Sequence, residues 1–232
     1  MTNISANLQA VNARISAAAR AAGRTPESVR LLAVSKTWPA AAVREAAACG
    51  QRAFGENYLQ ESLPKIAELA DLDLEWHFIG PLQSNKTRAV AERFDWAHAI
   101  CREKIAARLS DQRPAGMPPL RVCLQVNVSG EAAKSGVAPE QVPALARAVA
   151  VLPGLELRGL MAIPEASDDT ALLHRRYALL RELLVRLNGE GMALDTLSMG
   201  MSHDLETAIA EGATIVRIGT AIFGTRRKEG AP

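Results

Sequence analysis

The sequence predicts an α/β protein in which eight parallel strands and their helices close into a (β/α)8 barrel, preceded by an extra N-terminal helix. Eight short apolar or β-branched segments alternate with Ala-rich helical segments along the 232 residues. This alternation is typical of parallel strands joined by helical crossovers, and eight strands close a TIM barrel. A doubly wound open sheet is the alternative, but the GxGxxG sequence expected after its first strand is absent.

The predicted elements follow one another along the chain. Apolar residues recur at helical spacing from Ile4 to Ala19, and Gly23 ends this first helix, predicted over 3–22. The predicted strands are 30–35, 52–55, 75–79, 96–100, 121–128, 155–163, 196–199 and 214–218. The predicted helices between them are 39–49, 59–70, 84–94, 102–109, 139–151, 170–188 and 204–210. Only TAIFGTRRKEGAP remains after the eighth strand, so we expect the N-terminal helix to cover this gap in the outer ring.

Composition and charge exclude several classes of protein. Apolar residues make up 48% and charged residues 22% of the chain, and the net charge of +2 indicates neither a nucleic acid nor an anionic membrane as partner. No apolar run is long enough to span a bilayer, and the first residues lack the features of a secretion signal. Cys49, Cys101 and Cys123 are odd in number and widely spaced, which predicts buried thiols in a reducing cytoplasm. We expect one cytoplasmic domain over residues 1–232.

Lys36 is the first residue that indicates chemistry. It follows the first predicted strand in LLAVSK, and barrel sites lie at the carboxyl ends of the strands. An apolar barrel floor lowers the pKa of a lysine, so that its neutral amine is available to form an imine. An ordinary surface lysine at a strand end is the alternative, and on spacing alone it is the more frequent case.

Glycines and hydroxyl side chains follow the seventh and eighth predicted strands. Gly200 permits close backbone approach, and Ser202 is expected to cap the helix beginning near His203. Gly219 and Thr220 form the turn after the eighth strand. Barrels commonly bind phosphate in these two loops, although such residues also make ordinary turns. Together with Lys36, the loops predict a site for a phosphate-bearing aldehyde held as an imine.

Arg217 lies within the eighth predicted strand, where a buried guanidinium needs an acceptor. An ion pair with a neighbouring strand is one interpretation. The other is donation to a ring nitrogen of a cofactor, which would keep the ring unprotonated and make it a poor electron sink.

The histidines have no metal-ligand spacing, so we expect no metal site. His77 is interpreted as a hydrogen-bonded strand residue and His203 as a first-turn helix residue.

Seven segments resemble the pyridoxal phosphate homeostasis protein family, which is similar in fold to the N-terminal barrel of alanine racemase. They are LLAVSKTWP, FGENYLQE, WHFIGPLQSNK, LQVNVSGEAAKSG, GLMAIP, LSMGMSHDLETAI and VRIGTAIFGTR, and the resemblance covers nearly the whole chain. It implies pyridoxal phosphate as a Schiff base on Lys36. It also implies that Arg217 faces the ring nitrogen, that Asn57 lies beside the cofactor, and that the phosphate is held by Ser202, Gly219 and Thr220. The chain departs from the family at Trp38, where relatives often have lysine, and Pro64 should kink the second barrel helix or mark its start.

The resemblance implies a monomer that supports the supply of pyridoxal phosphate and amino-acid balance without robust catalysis of its own. Pyridoxal phosphate-dependent apo-enzymes are then expected acceptors of the cofactor. An amino-acid racemase is the second hypothesis. It is disfavoured because the chain ends where the second domain of alanine racemase, with its tyrosine base, would begin, and two-base racemisation needs an acid/base on each face. A Schiff-base aldolase acting on a sugar phosphate is the third.

Overall fold

The computed structural model describes residues 3–131 and 135–225, and its centre is a closed barrel of eight parallel strands. Each strand pairs with the next in sequence, and β8 pairs with β1 to close the ring. The strands are β1 (Arg30–Val34), β2 (Ala53–Glu56), β3 (Glu75–Phe78), β4 (Trp96–Ile100), β5 (Leu120–Gln125), β6 (Leu155–Met161), β7 (Thr196–Ser198) and β8 (Ile215–Ile218). The predicted (β/α)8 barrel is confirmed.

Helices form a layer around the barrel. They are α1 (Ile4–Ala21), α2 (Ala40–Ala48), α3 (Leu59–Glu68), α4 (Thr87–Arg93), α5 (Glu103–Gln112), α6 (Val142–Ala150), α7 (Thr170–Gly189), α8 (Leu205–Ala210) and α9 (Thr220–Phe223). Pro64 lies inside α3 and does not mark its start. Among the described residues, no helix is long and apolar enough to cross a membrane.

The N-terminal helix α1 completes the outer layer, as predicted. It packs against α2, α8 and the four-residue α9, and it buries the apolar side chains Ile4, Leu8, Val11, Ile15 and Ala19. Two polar contacts extend from α1 to the carboxyl end of the barrel: Asn7 Nδ2 donates to Ile222 O at 2.8 Å, and Arg14 Nη2 donates to Ser202 O at 3.2 Å. The helix therefore supports the chain segments that follow both β7 and β8.

The fifth strand is shorter than predicted. It ends at Gln125, because the Asn127 side chain folds the following residues into a turn in which Oδ1 accepts from Ser129 N and Gly130 N. Such local side-chain bonds compete with a strand ladder. The predicted helix over 139–151 is also modified, because residues Pro139–Gln141 form a 3-10 turn ahead of α6.

The expectation of buried thiols holds for only one cysteine. Cys123 is buried inside the barrel, and burial raises the pKa of its thiol to about 12. Cys101 is half-buried, while Cys49 is exposed because it is the C-cap residue of α2 and the helix ends facing solvent.

Candidate functional site

A cavity of about 260 Å³ opens at the carboxyl end of the barrel. Six of the seven predicted cofactor-binding residues line it, which brings together loops that follow β1, β2, β7 and β8. The lining residues are Val34, Lys36, Asn57, Ile79, Ile163, Met201, Ser202, His203, Arg217, Gly219 and Thr220. Gly200, the seventh, contributes through its backbone, because its carbonyl accepts from Arg217 N at 3.0 Å.

Lys36 and Asn57 leave neighbouring parallel strands at the same level of the barrel. Asn57 Oδ1 is buried and has no hydrogen-bond partner among the described residues, so the site contains an unsatisfied polar atom. A Cβ added at Gly80 would lie 2.4 Å from Asn57 O, and the loop after β3 therefore packs directly on the Asn57 backbone. Sequence reasoning overlooked Gly80, although a glycine just after the third strand was a signal of such an approach.

Asp204 organises the loop after β7. The sequence had predicted Ser202 for this role, and that prediction is wrong. Asp204 is the residue before α8; its Oδ1 accepts from Met201 N at 2.6 Å, and its Oδ2 accepts from the Tyr177 hydroxyl at 2.8 Å. Because this carboxylate closes the turn, Ser202 does not cap the helix and is left on the cavity wall. His203 also lies in this turn, not in the first turn of α8, and lines the cavity.

The turn after β8 lies close to the end of β1. A Cβ at Gly219 would come within 3.1 Å of Val34 O, and Thr220 begins α9, whose first N–H groups have no helical carbonyl to bond. The Trp38 ring stacks on the Phe223 ring with 5.8 Å between centroids. Trp38 thus ties the Lys36 segment to α9.

Arg217 is buried with 4% of its surface exposed. Its Nη1 donates to Ser198 Oγ at 2.8 Å and its Nη2 to Ala162 O at 2.9 Å. Both acceptors are neutral, and among the described residues Arg217 forms no ion pair; the alternative interpretation, an ion pair with a neighbouring strand, is therefore not observed. Burial lowers the pKa of this guanidinium, which nevertheless remains a cation at any physiological pH.

A chain of hydrogen bonds runs from Arg217 through the barrel interior. Ser198 Oγ lies 2.8 Å from His98 Nδ1, His98 Nε2 lies 2.9 Å from His77 Nδ1, and His77 Nε2 lies 2.5 Å from Glu75 Oε1. Burial lowers the pKa of both imidazoles, so both are neutral at pH 7. The Arg217 guanidinium can only donate and the Glu75 carboxylate can only accept, so the direction of every hydrogen bond between them is determined. Ser198 Oγ donates to His98 Nδ1, His98 Nε2 donates to His77 Nδ1, and His77 Nε2 donates to Glu75.

Glu75 anchors this chain at the amino end of the barrel. Burial alone would raise the pKa of its carboxyl, but the hydrogen bond from His77 and the Arg30 guanidinium at 2.7 Å outweigh burial and lower the pKa to about 2. The interpretation of His77 as a hydrogen-bonded strand histidine is confirmed. The pairing of His77 with His98 was missed, because nothing in the sequence indicates that the two rings meet.

The described residues contain no group of three or more His, Cys, Asp or Glu side chains arranged to hold a metal ion. The polar groups at the cavity are the Lys36 amine, the Arg217 guanidinium, the unpaired Asn57 oxygen, the His203 imidazole, the Ser202 and Thr220 hydroxyls and the backbone N–H groups at the start of α9. This set suits a ligand that combines an aldehyde, a heteroaromatic ring and an anionic group.

The chain is similar to known proteins in sequence and in fold. The family model of the alanine racemase N-terminal domain matches residues 6–227. A Pseudomonas aeruginosa relative named pyridoxal phosphate homeostasis protein is 68% identical over 232 residues, covering 100% of this chain and 99% of its own. PipY of Synechococcus elongatus PCC7942, solved with PLP bound, is 40% identical with a TM-score of 0.85, covering 96% of this chain and 100% of its own.

A solved alanine racemase shows the likeness at the level of the fold. The enzyme from Corynebacterium glutamicum matches with a TM-score of 0.68 at 21% identity, over 97% of this chain and 63% of the racemase. Because the family model and a relative at 68% identity both span almost the entire sequence, the chain belongs to the pyridoxal phosphate homeostasis protein family and has the barrel of the alanine racemase N-terminal domain.

Proposed function

We propose that this chain binds pyridoxal 5'-phosphate as a Schiff base on Lys36 and supports pyridoxal phosphate homeostasis and amino-acid balance, without a robust catalytic cycle. The observation that carries the proposal is that Lys36, Arg217, Ser202 and Thr220 line the same cavity. The names of the relatives and the PLP-bound PipY structure support the same ligand.

The residues of the cavity suit each part of the ligand. When bound, pyridoxal phosphate supplies an aldehyde that condenses with amines and a ring that can accept electrons. Lys36 provides the amine, and the N–H groups near Gly219 and Thr220, with the Ser202 hydroxyl, provide donors for the phosphate. Asn57 Oδ1, which lacks a partner in the described part of the chain, gains one if the ligand presents a donor beside it.

Arg217 supports the proposal that catalysis is weak. Its guanidinium is already fixed by Ser198 Oγ and Ala162 O, so a remaining N–H is available to donate to the ring nitrogen. A nitrogen that accepts from a cation stays unprotonated, and an unprotonated ring is a poor acceptor of electrons from a carbanion. Lys36 can then exchange the cofactor with free amines while the chain turns over few amino acids or none.

The Schiff base is tested by absorption spectra of the loaded protein before and after borohydride reduction, with the modified peptide mapped. We expect the label on Lys36 and no imine absorbance in Lys36→Ala, which should fold normally because Lys36 lies in the turn after β1 at a half-exposed position. Lys104→Ala, at an exposed position of α5, is the matched control and should keep the spectrum. An imine band that survives in Lys36→Ala would refute the assignment.

Homeostasis and racemase activity are separated by a second experiment. The loaded protein is incubated with L-alanine in deuterated water, and α-proton exchange and D-alanine are followed; transfer of the cofactor to a pyridoxal phosphate-dependent apo-enzyme is measured in parallel. Negligible exchange with measurable transfer is expected. Rapid exchange that is lost in Lys36→Ala would establish a catalyst and overturn the homeostasis proposal.

A further inference from the structure

The backbone on the amino side of Lys36 is held by a buried cluster behind the barrel wall. Lys65 Nζ, on α3, donates to Ser35 O at 2.9 Å and lies 2.5 Å from Glu56 Oε1. Ser35 Oγ donates to the same Glu56 oxygen at 2.7 Å. Ser35 and Glu56 are fully buried and Lys65 is 5% exposed, so both the carbonyl and the hydroxyl of the residue before Lys36 are fixed by charged groups.

The backbone on the carboxyl side of Lys36 is held by the same helix. Thr37 has a φ of +67°, the only positive φ of a non-glycine residue in the described ranges. This conformation is unfavourable for a β-branched residue and persists only where its surroundings impose it. Glu61, one turn before Lys65 on α3, provides such a restraint, because its Oε2 accepts from Thr37 N at 2.9 Å.

This cluster does not belong to the cavity itself. Successive side chains of a strand point to opposite faces, so Ser35 and Glu56 face α3 while their neighbours Lys36 and Asn57 line the cavity. What the cluster shares with the site is the backbone of β1 and β2.

Its composition is poorly suited to stabilising the fold. Glu56 Oε2 is buried without a hydrogen-bond partner among the described residues, and burial raises the pKa of this carboxyl against the opposing contacts with Lys65 and Ser35. Buried ion pairs with incomplete hydrogen bonding are often no better than apolar side chains of similar volume. Such a pair does restrict the backbone to which it is bonded, because here Lys65 and Glu56 hold the carbonyl and the hydroxyl of Ser35 in one arrangement.

We infer that Glu56, Glu61 and Lys65 are positioning residues that hold Lys36 in the orientation needed to react with the aldehyde of a ligand in the cavity. The inference rests on the proposed function. In that reaction the neutral Lys36 amine adds to the aldehyde carbon, a C=N bond replaces the C=O bond of the aldehyde, and the aldehyde oxygen leaves as water with the two protons of the amine. The three side chains touch neither reacting atom; they restrict the segment 35–37 so that Nζ approaches from one direction.

Two variants test the clamp from its two sides. Glu61→Ala removes the exposed restraint on Thr37, and Glu56→Gln with Lys65→Met removes the buried charge pair without leaving one charge unpaired. Each is expected to slow the appearance of the imine spectrum about ten- to a hundredfold, the range for a small misplacement of a reacting group. Glu68→Ala, at an exposed position on the same helix, is the control and should react at the wild-type rate.

Binding and reaction are separated with pyridoxine 5'-phosphate, whose alcohol cannot form an imine. Both clamp variants should bind it as tightly as the wild type, which a general loss of structure would prevent. Thr37→Gly placed in the Glu61→Ala background should recover much of the rate, because glycine adopts a positive φ without strain.

The outcomes distinguish this inference from the function on which it rests. A wild-type protein that gives no reducible imine on Lys36 would overturn both. A wild-type imine on Lys36 with unchanged rates in Glu61→Ala and in the double variant would overturn the clamp alone. Slower imine formation with unchanged pyridoxine phosphate binding would support it.

Discussion

Gly200 provides a sharp test of how the loop after β7 is held. Its φ is +92°, and a Cβ added there would lie 2.6 Å from the Cβ of Ala208 in α8. An L-residue at positive φ costs about 1–2 kcal/mol. The contact adds about 1–3 kcal/mol as overpacking, because the Ala208 methyl group has no rotamer into which it can move. The Gly200→Ala substitution is therefore expected to lower the free energy of unfolding by about 2–5 kcal/mol.

Gly212, at the other end of α8, provides the matched control. Its φ of +96° is nearly the same, but the nearest atoms to an added Cβ, on Arg181 and Leu197, lie at an ordinary 3.7 Å. Gly212→Ala should therefore cost only the backbone strain of about 1–2 kcal/mol. Urea unfolding of the ligand-free proteins measures both values, and their difference reports the contact with Ala208.

The same pair of variants reports on the cavity. Relief of the contact in Gly200→Ala moves α8 or the loop that carries Ser202. Loss of one charge-assisted hydrogen bond to a phosphate then weakens pyridoxal phosphate binding at least about tenfold. Gly212→Ala should bind as the wild type does. Equal losses of stability in the two variants, or unchanged affinity in Gly200→Ala, would refute this reasoning.

Three other predictions follow from the site and its supports. Pyridoxal without its phosphate should bind at least about tenfold more weakly than pyridoxal phosphate, since each lost charge-assisted hydrogen bond contributes about 1.5–3 kcal/mol. Equal dissociation constants would show that the loops after β7 and β8 do not bind the phosphate. Burial lowers the pKa of His77 and of His98 below 6.5, so at acidic pH the unfolded protein binds protons that the folded protein does not. The free energy of unfolding should therefore fall as the pH falls below 6.5, by up to about 1.4 kcal/mol per pH unit for each histidine. Urea unfolding at a series of pH values measures this, and a constant free energy between about pH 7 and pH 5 would contradict it. Arg14→Ala should weaken pyridoxal phosphate binding because it removes the hydrogen bond to Ser202 O, and it should change the free energy of unfolding by less than about 1 kcal/mol. Arg20→Ala, on the exposed side of α1, should leave binding unchanged. Identical affinities of the two variants would exclude α1 as a support of the site.

The sequence by itself determined the barrel and most of the cavity. Strand and helix periods depend on which residues alternate locally, so eight strands were located to within a few residues. Lys36, Gly219 and Thr220 were selected because each lies at or just after the end of a predicted strand, and parallel strands of a barrel all end at the same face. Asn57 was selected because the family resemblance implied it. Where local signals competed, the prediction was less accurate: β5 ends early at the Asn127 turn, and Asp204 replaces Ser202 as the residue that closes the loop before α8.

Only the tertiary structure decided which side chains meet across the barrel wall and the barrel interior. Lys65 is 30 residues from Ser35, His98 is 21 residues from His77, and Arg14 is 188 residues from Ser202. These contacts depend on the stagger of neighbouring strands and on how each helix packs against its sheet. A local sequence pattern specifies the conformation of its own backbone, but it does not specify the distance between two segments that come together only in the folded barrel.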